Sequence, residues 1–135
     1  MAAPVSLIRS TALSDVAQYA YASTAPAGAR LVFLAGACPL GADGSTLGVG
    51  DIAEQSRVSM HNLRLALEAA GAGLENVLST RVLVASTRRE DLVTAWNVVR
   101  HAFGDHDAPS TLMGVTVLGY TDQLVEIEAV AAVLD

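Results

Sequence analysis

The chain has 135 residues, of which 52% are hydrophobic and 16% charged, so we expect one domain with a real hydrophobic core across residues 1–135. Its net charge of −6 argues against a nucleic-acid partner, which requires clustered basic surface, because the eight basic residues are arginines scattered along the chain. Since no lysine is present, enzymes that use a Schiff-base lysine, a P-loop lysine or a lysine anchor for pyridoxal phosphate are excluded.

The N-terminus and the cysteine content indicate a cytoplasmic protein. Residues 1–15 lack the basic start and long apolar core of a signal peptide, and no apolar run is long enough to span a membrane. The single cysteine, Cys38, excludes an internal disulfide framework and a cysteine-based zinc cluster, which suits a reducing compartment. We therefore expect a cytoplasmic location and no membrane partner.

The first half of the chain predicts a strand followed by a helix. Residues 31–37 form a short apolar run rich in strand formers, and the proline and glycines of residues 38–50 are typical of turns. Apolar residues then recur at helical spacing. Asp51 and Glu54 are placed like a capping box at the start of this helix, and Gly71 is placed to end it.

The second half predicts a strand, a helix and two further strands. Residues 76–86 alternate as a strand does, and residues 87–104 repeat the pattern of a capped helix, with Thr87 and Glu90 at its start and Gly104 at its end. Residues 110–119 and 123–134 read as two strands, and the short connection 120–122 favours a hairpin between them.

Interleaved helices and strands of this kind predict an α+β fold. The economical architecture is a mixed β-sheet with both helices packed on one face. The opposite face of such a sheet would still carry leucine, valine and methionine side chains, so it would need a partner chain to cover it.

Two carboxylates stand in the last predicted strand. Because side chains alternate between the faces of a strand, Glu126 and Glu128 share one face, roughly 7 Å apart, while Val125 and Ile127 share the other. A solvated sheet face or an edge strand explains such a pair, whereas a cleft would make the pair costly and potentially useful.

The histidines and the cysteine have simpler explanations than a metal site or a catalytic nucleophile. His101 and His106 flank Asp105 and Asp107, but their spacing matches no metal-ligand motif, so we expect a solvated loop and no metal. Cys38 has no histidine or basic residue beside it in the sequence, which favours a packing role over that of a nucleophile.

Several blocks of the sequence, in the same order, resemble the Rid family (YjgF-type, reactive intermediate deaminases) over about residues 19–133. The blocks are a turn after the first strand, the first helix and the last strand, with the matching residues Gly36, Pro39, Leu40, Gln55, Asn62, Gly71 and the run Glu126–Ala129. The resemblance implies a chorismate-mutase-like fold and a homotrimer with a barrel-like core. It also implies small-metabolite sites between subunits, without a metal or another cofactor.

The resemblance also implies an activity, which is hydrolysis of enamines and imines to keto compounds and ammonia, with Glu126 positioning the attacking water. The candidate ligand-contacting positions are Tyr21, Ala35, Cys38, Trp96, Ser110 and Thr111. Tyr19 is an alternative to Tyr21, because an insertion precedes Gly36.

The family's arginine, which clamps a substrate carboxylate, is absent here. Its position falls on Ser110, or on Thr111 if the hairpin carries no insertion, so the chain is expected to form an arginine-lacking subgroup. Arg81 is a possible substitute, although a surface or interface salt bridge is the simpler expectation for it. Two functions stay open: an imine or enamine deaminase, and a trimer that binds a small ligand without turnover.

Overall fold

A computed structural model of the chain describes residues 4–16 and 19–135. The strands and helices of these residues, in chain order, are β1 (Ser6–Ile8), β2 (Ala22–Thr24), β3 (Arg30–Phe33), α1 (Ile52–Ala69), β4 (Val77–Val84), α2 (Arg89–Phe103), β5 (Ser110–Gly114) and β6 (Val125–Val133). The pair formed by β1 and β2, a small antiparallel sheet, was not among the predicted elements.

The main sheet has four strands in the order β3-β6-β4-β5. β6 is antiparallel to both of its neighbours, whereas β4 and β5 are parallel. The predicted hairpin between β5 and β6 is therefore wrong, since β4 lies between them. Because α2 returns the chain to the same end of the sheet, β5 pairs beside β4 in a strand–helix–strand unit, and β6 takes the other edge of β4.

α1 begins and ends as its sequence predicts. The side chain of Asp51 accepts a hydrogen bond from the backbone N–H of Glu54 at 3.0 Å, which satisfies one free donor of the first turn. Gly71 follows the helix with φ of 75°, a left-handed conformation that glycine adopts without strain.

α2 starts differently from the prediction. Thr87 and Glu90 were expected to cap it, but the Ser86 hydroxyl accepts from the N–H of Arg88 at 3.0 Å and donates to Asp91 at 2.7 Å. The predicted end is confirmed, because Gly104 follows the helix with φ of 58°. His101 lies in the last turn of α2 and not in the expected loop.

The two faces of the main sheet differ sharply. Alternate residues of β6 are at most 5% exposed; they are Val125, Ile127, Ala129, Ala131 and Val133. The first four pack in the core with residues of α1 and α2. The opposite face, which we call the open face, carries Phe33 at 74% and Leu31 at 53% exposure. This arrangement confirms the predicted α+β fold with both helices on one side of a mixed sheet. No helix among the described residues is long and apolar enough to cross a membrane.

Candidate functional site

An interruption of β3 creates space beside Glu126. Phe33 pairs with Val130 and Ala37 pairs with Ile127, so three residues of one strand face two of the other, as in a β-bulge. Gly36 lies in this bulge. A Cβ atom built on Gly36 would clash with Oε2 of Glu126, so the carboxylate rests directly against the glycine backbone.

Two donors hold the other oxygen of the carboxylate. The Cys38 thiol lies 3.2 Å from Oε1 of Glu126, and Nε2 of Gln123 lies 3.2 Å from the same atom. Gln123 is only 4% exposed. Gln123 was not among the predicted site residues, because a single glutamine at the start of a strand carries no recognisable pattern.

The loop that carries Cys38 is fixed by α1. Nδ2 of Asn62 donates to the carbonyl oxygens of Cys38 and Leu40, at 2.8 and 2.9 Å. These bonds satisfy two loop carbonyls that no strand partner reaches. Asn62 is thus a structural residue that sets where the thiol lies.

The thiol of Cys38 is strongly biased toward its neutral form. Burial first, and then the hydrogen bond to Glu126 and the negative charge of that residue, raise the pKa of Cys38 from 9.0 to about 11. The thiolate is the nucleophilic form of cysteine, so Cys38 acts here as a donor. A role as nucleophile is disfavoured.

We expect Cys38 to alkylate slowly in the folded protein. A pKa two units above the ordinary value leaves about 100-fold less thiolate at mildly alkaline pH. The iodoacetamide rate should keep rising from about pH 7 to pH 10 without levelling near 9, whereas the urea-unfolded chain should level there. Because the folded pKa lies above the unfolded one, the stabilisation linked to this thiol is lost as pH rises from about 9 toward 11. A folded-state plateau near pH 9 would contradict this assignment.

Glu128 has a different partner from Glu126. Nε and Nη2 of Arg81, directly across the strand pair, donate to the two oxygens of Glu128 at 2.9 and 3.2 Å. Both side chains are partly exposed, so the pair contributes little to stability. Arg81 therefore forms the salt bridge that was its simpler expectation. The negative charge of Glu128 is paired with Arg81, while Glu126 on the same face accepts hydrogen bonds from Cys38 and Gln123.

A second group of candidate residues lines a cavity of about 400 Å³ at the edge formed by β5. Its lining residues are Tyr19, Trp96, Ser110, Thr111 and Leu112. The rings of Tyr19 and Trp96 meet edge to face, with their centroids 6.1 Å apart. None of the lining side chains is charged.

Tyr19 and Tyr21, the two candidate tyrosines, occupy different positions in the structure. Tyr19 lines the cavity, while Tyr21 packs on Tyr19 at a centroid distance of 5.4 Å and donates its hydroxyl hydrogen to the carbonyl of Ser14. Ala35 lies in the bulge next to Gly36 with an exposed side chain that offers no hydroxyl.

Within one copy, the Glu126 group, which is Glu126 with Gly36, Cys38 and Gln123, lies apart from the residues that line the cavity. Ser110 pairs in register with Thr80, and Glu126 with Leu83, so the two residues are three positions apart along the sheet and two strands apart across it. That separation is roughly 14 Å. Ser110 also faces the helices, where its hydroxyl accepts from Thr80 at 2.7 Å, while Glu126 faces the open side.

The histidines outside these groups form no metal site in the described part of the chain, where no cluster of three or more His, Cys, Asp or Glu side chains is found. His106 instead places Nε2 2.8 Å from the carbonyl oxygen of Val77.

Comparison with known sequences gives consistent matches. A family model described as Endoribonuclease L-PSP matches residues 10–133. A RutC family protein of Pyrococcus horikoshii is 31% identical over 102 residues, which cover 76% of this chain and 79% of the relative. A RutC family protein of Pyrococcus abyssi is 30% identical over 102 residues, covering 76% and 78%.

Solved structures share the fold. A member of the YjgF/YER057c/UK114 family from Mycobacterium tuberculosis superposes with a TM-score of 0.65 at 30% identity, covering 96% of this chain and 99% of its own. A Rid family protein of unknown function from Yersinia pestis reaches a TM-score of 0.88 at 24% identity, with the same coverage. The second likeness shows the fold alone.

Proposed function

The chain belongs to the Rid (YjgF) family, whose sequence model is described as endoribonuclease L-PSP, and we propose that it is a cytoplasmic homotrimer that hydrolyses small, reactive imines or enamines. The products are a carbonyl compound and ammonia. The observation that carries this proposal is the geometry of Glu126, whose carboxylate has one oxygen held by two donors and the other against a glycine backbone.

The chemistry needs a group that orients water and accepts its proton. An enamine first tautomerises to the imine by protonation at carbon. Water then adds to the carbon of the C=N bond while Glu126 takes one of its protons and passes that proton to the nitrogen, which gives a carbinolamine. Glu126 next takes the proton of the carbinolamine hydroxyl and passes it to the nitrogen as the C–N bond breaks and the C=O bond forms, so ammonia leaves and the carboxylate is regenerated. A positioned carboxylate is sufficient for this sequence, which requires neither a metal nor a redox cofactor.

The assembly supplies the rest of the site. Glu126 and the cavity lined by Tyr19 and Trp96 are separate within one copy, and the open face presents Phe33 and Leu31 to solvent. Packing of open faces against one another in a trimer buries this apolar surface. The same packing brings the Glu126 group of one copy toward the aromatic cavity of the next.

The substrate class follows from the charges of the cavity. Neither Ser110 nor Thr111 supplies the planar cationic fork that pairs with a carboxylate, and Arg81 is bound to Glu128. The aromatic pair Tyr19 and Trp96 suits a flat or apolar group. We therefore favour a neutral imine or enamine over a 2-imino acid.

A second candidate function is ligand binding without turnover. The uncharged, aromatic lining of the cavity favours it, because such a pocket recognises a small neutral molecule whether or not Glu126 reacts with it. In that case a ligand raises the melting temperature of the trimer, and no imine is consumed faster than in buffer.

RNA cleavage is the function that the family model's description suggests, and the charge of this chain disfavours it. The net charge is −6, and five of the eight arginines pair with carboxylates, namely Arg9, Arg30, Arg57, Arg81 and Arg88. Affinity for RNA comes largely from clustered cations on phosphates.

We expect Glu126→Gln to lose about 10²- to 10⁴-fold in kcat, the usual contribution of a positioned general base. The substrates are a neutral imine generated in situ by an amine oxidase and an imino acid generated by an amino acid oxidase. The readout is ammonia release above the uncatalysed rate, and the neutral imine should be consumed faster.

Glu128→Gln is the matched control, because it makes the same chemical change on the same strand face, at a side chain that bonds to Arg81 and not to the donors of Glu126. It should keep kcat within a few-fold of the wild type. Full activity of the Glu126→Gln protein would sink the proposed role, and absence of turnover with either imine in the wild type would leave ligand binding as the function.

A further inference from the structure

We infer that Cys38 and Gln123 are positioning residues that hold one oxygen of Glu126, so that the other oxygen alone faces water and ligand. This inference rests on the proposed function for its kinetic consequences. The contacts that support the inference do not depend on the proposed function, since they lie within a single copy.

The two donors converge on one atom. The thiol of Cys38 and Nε2 of Gln123 both lie 3.2 Å from Oε1 of Glu126. Among the described residues, no donor makes a hydrogen bond to Oε2, which lies over Gly36. A carboxylate bound at one oxygen only cannot exchange its two oxygens by rotation without losing both bonds.

The orientation of Gln123 is itself determined by its surroundings. Its Oε1 accepts from the N–H of Tyr120 at 3.1 Å, and its Nε2 also donates to the carbonyl of Val125 at 3.0 Å. Because an N–H can only donate and a carbonyl can only accept, these two bonds fix which end of the carboxamide faces Glu126. The side chain is 4% exposed, so water does not compete for these bonds.

The Cys38 thiol is a donor of a suitable kind. It has one hydrogen and two nearby acceptors, Oε1 of Glu126 at 3.2 Å and the carbonyl of Gly36 at 3.4 Å. The carboxylate is the stronger acceptor because it is charged. Since the pKa of Cys38 is raised to about 11, the hydrogen remains on sulfur at neutral pH. Asn62 holds the carbonyl of Cys38, so the backbone from which the thiol extends is fixed.

The kinetic experiment compares Cys38→Ala with Cys38→Ser, and Gln123→Met with the wild type. Loss of one hydrogen bond to a charged group is expected to lower kcat about tenfold in Cys38→Ala and in Gln123→Met. KM should change far less than kcat, because both side chains act on the orientation of Glu126 through their bonds to its Oε1. Cys38→Ser restores a donor and should recover most of the lost kcat, which a residue needed only for packing would not do.

An independent experiment follows the thiol itself and needs no turnover. Glu126→Gln removes the negative charge beside Cys38, so the thiol pKa falls and iodoacetamide alkylation at about pH 8.5 accelerates several-fold. Glu128→Gln should leave the alkylation rate unchanged.

The two experiments separate the inference from the proposed function. Faster alkylation in Glu126→Gln, together with an inactive wild type, would support the contact and refute the deaminase. An unchanged alkylation rate in Glu126→Gln would overturn the inference, whatever the activity. Full kcat in both Cys38→Ala and Gln123→Met would overturn it too.

Discussion

Phe33→Glu is expected to split the assembly into monomers and to abolish activity with it. Phe33 is 74% exposed on the open face, where it stands opposite Val130. Full burial of such a side chain contributes about 1.5–3 kcal/mol per copy. A glutamate in its place would bring an unpaired charge into the interface, at an effective cost of several kcal/mol per copy. In the proposed trimer, each of the three copies contributes both effects.

Val117→Glu is the control for this substitution. Val117 lies between β5 and β6, outside the sheet, and is 77% exposed, so the same charge is added at a comparably exposed apolar residue. Sedimentation at micromolar concentration should show a trimer for the wild type and for Val117→Glu, and a monomer for Phe33→Glu. Circular dichroism should show all three proteins folded. A trimeric Phe33→Glu protein, or a monomeric wild type, would contradict an interface on the open face.

Gln55→Leu is expected to lower the free energy of unfolding by about 3–5 kcal/mol, on the scale of about 1–3 kcal/mol for each buried group left unpaired. Gln55 is fully buried. Its Nε2 donates to the carbonyls of Gly48 and Asp122, at 3.2 and 2.9 Å, and its Oε1 accepts from the N–H of Leu124 at 2.7 Å. A leucine satisfies none of the three, and a typical domain is stable by only about 5–15 kcal/mol.

Ser56→Ala provides the comparison for Gln55→Leu. Ser56 is the next residue of α1 and is equally buried, but its hydroxyl bonds only to the carbonyl of Ile52 one turn back, an oxygen already within reach of the helix ladder. Its loss should cost under about 1 kcal/mol. Urea unfolding measures both variants. If the free energy of unfolding of Gln55→Leu were within about 1 kcal/mol of the wild-type value, water or a local rearrangement would have to satisfy the three backbone groups.

Gln55 also holds the segment that leads into the Glu126 group. The segment it holds, at Asp122 and Leu124, flanks Gln123 and leads directly into Glu126. The helix residues Gln55 and Asn62 therefore anchor the two loops that place the donors of Oε1, although neither contacts Glu126 itself.

Local patterns predicted most of the secondary structure. The two helices and the strands β4 and β6 lie where periodicity placed them, because the period of apolar residues reports which side chains face the core. The alternation in β6 also predicted that Glu126 and Glu128 share one face, and they do. β3 and β5 are shorter than expected, since the bulge at residues 34–36 and the loop after Gly114 leave the ladder.

Strand pairing and the partners of the two carboxylates were decided only in three dimensions. A short connection and a strand pattern suggested a hairpin of β5 with β6, but pairing also depends on where α2 returns the chain. Glu126 meets Cys38 from 88 positions away, and Glu128 meets Arg81 from 47 positions away. The sequence by itself determined the two helices, the strands of the main sheet and the fact that both acids share one face, because these depend on neighbours a few residues apart. Tertiary structure alone assigned one acid to a salt bridge and the other to a pair of donors, because side-chain hydrogen bonds form between residues that only the folded backbone brings within about 3 Å.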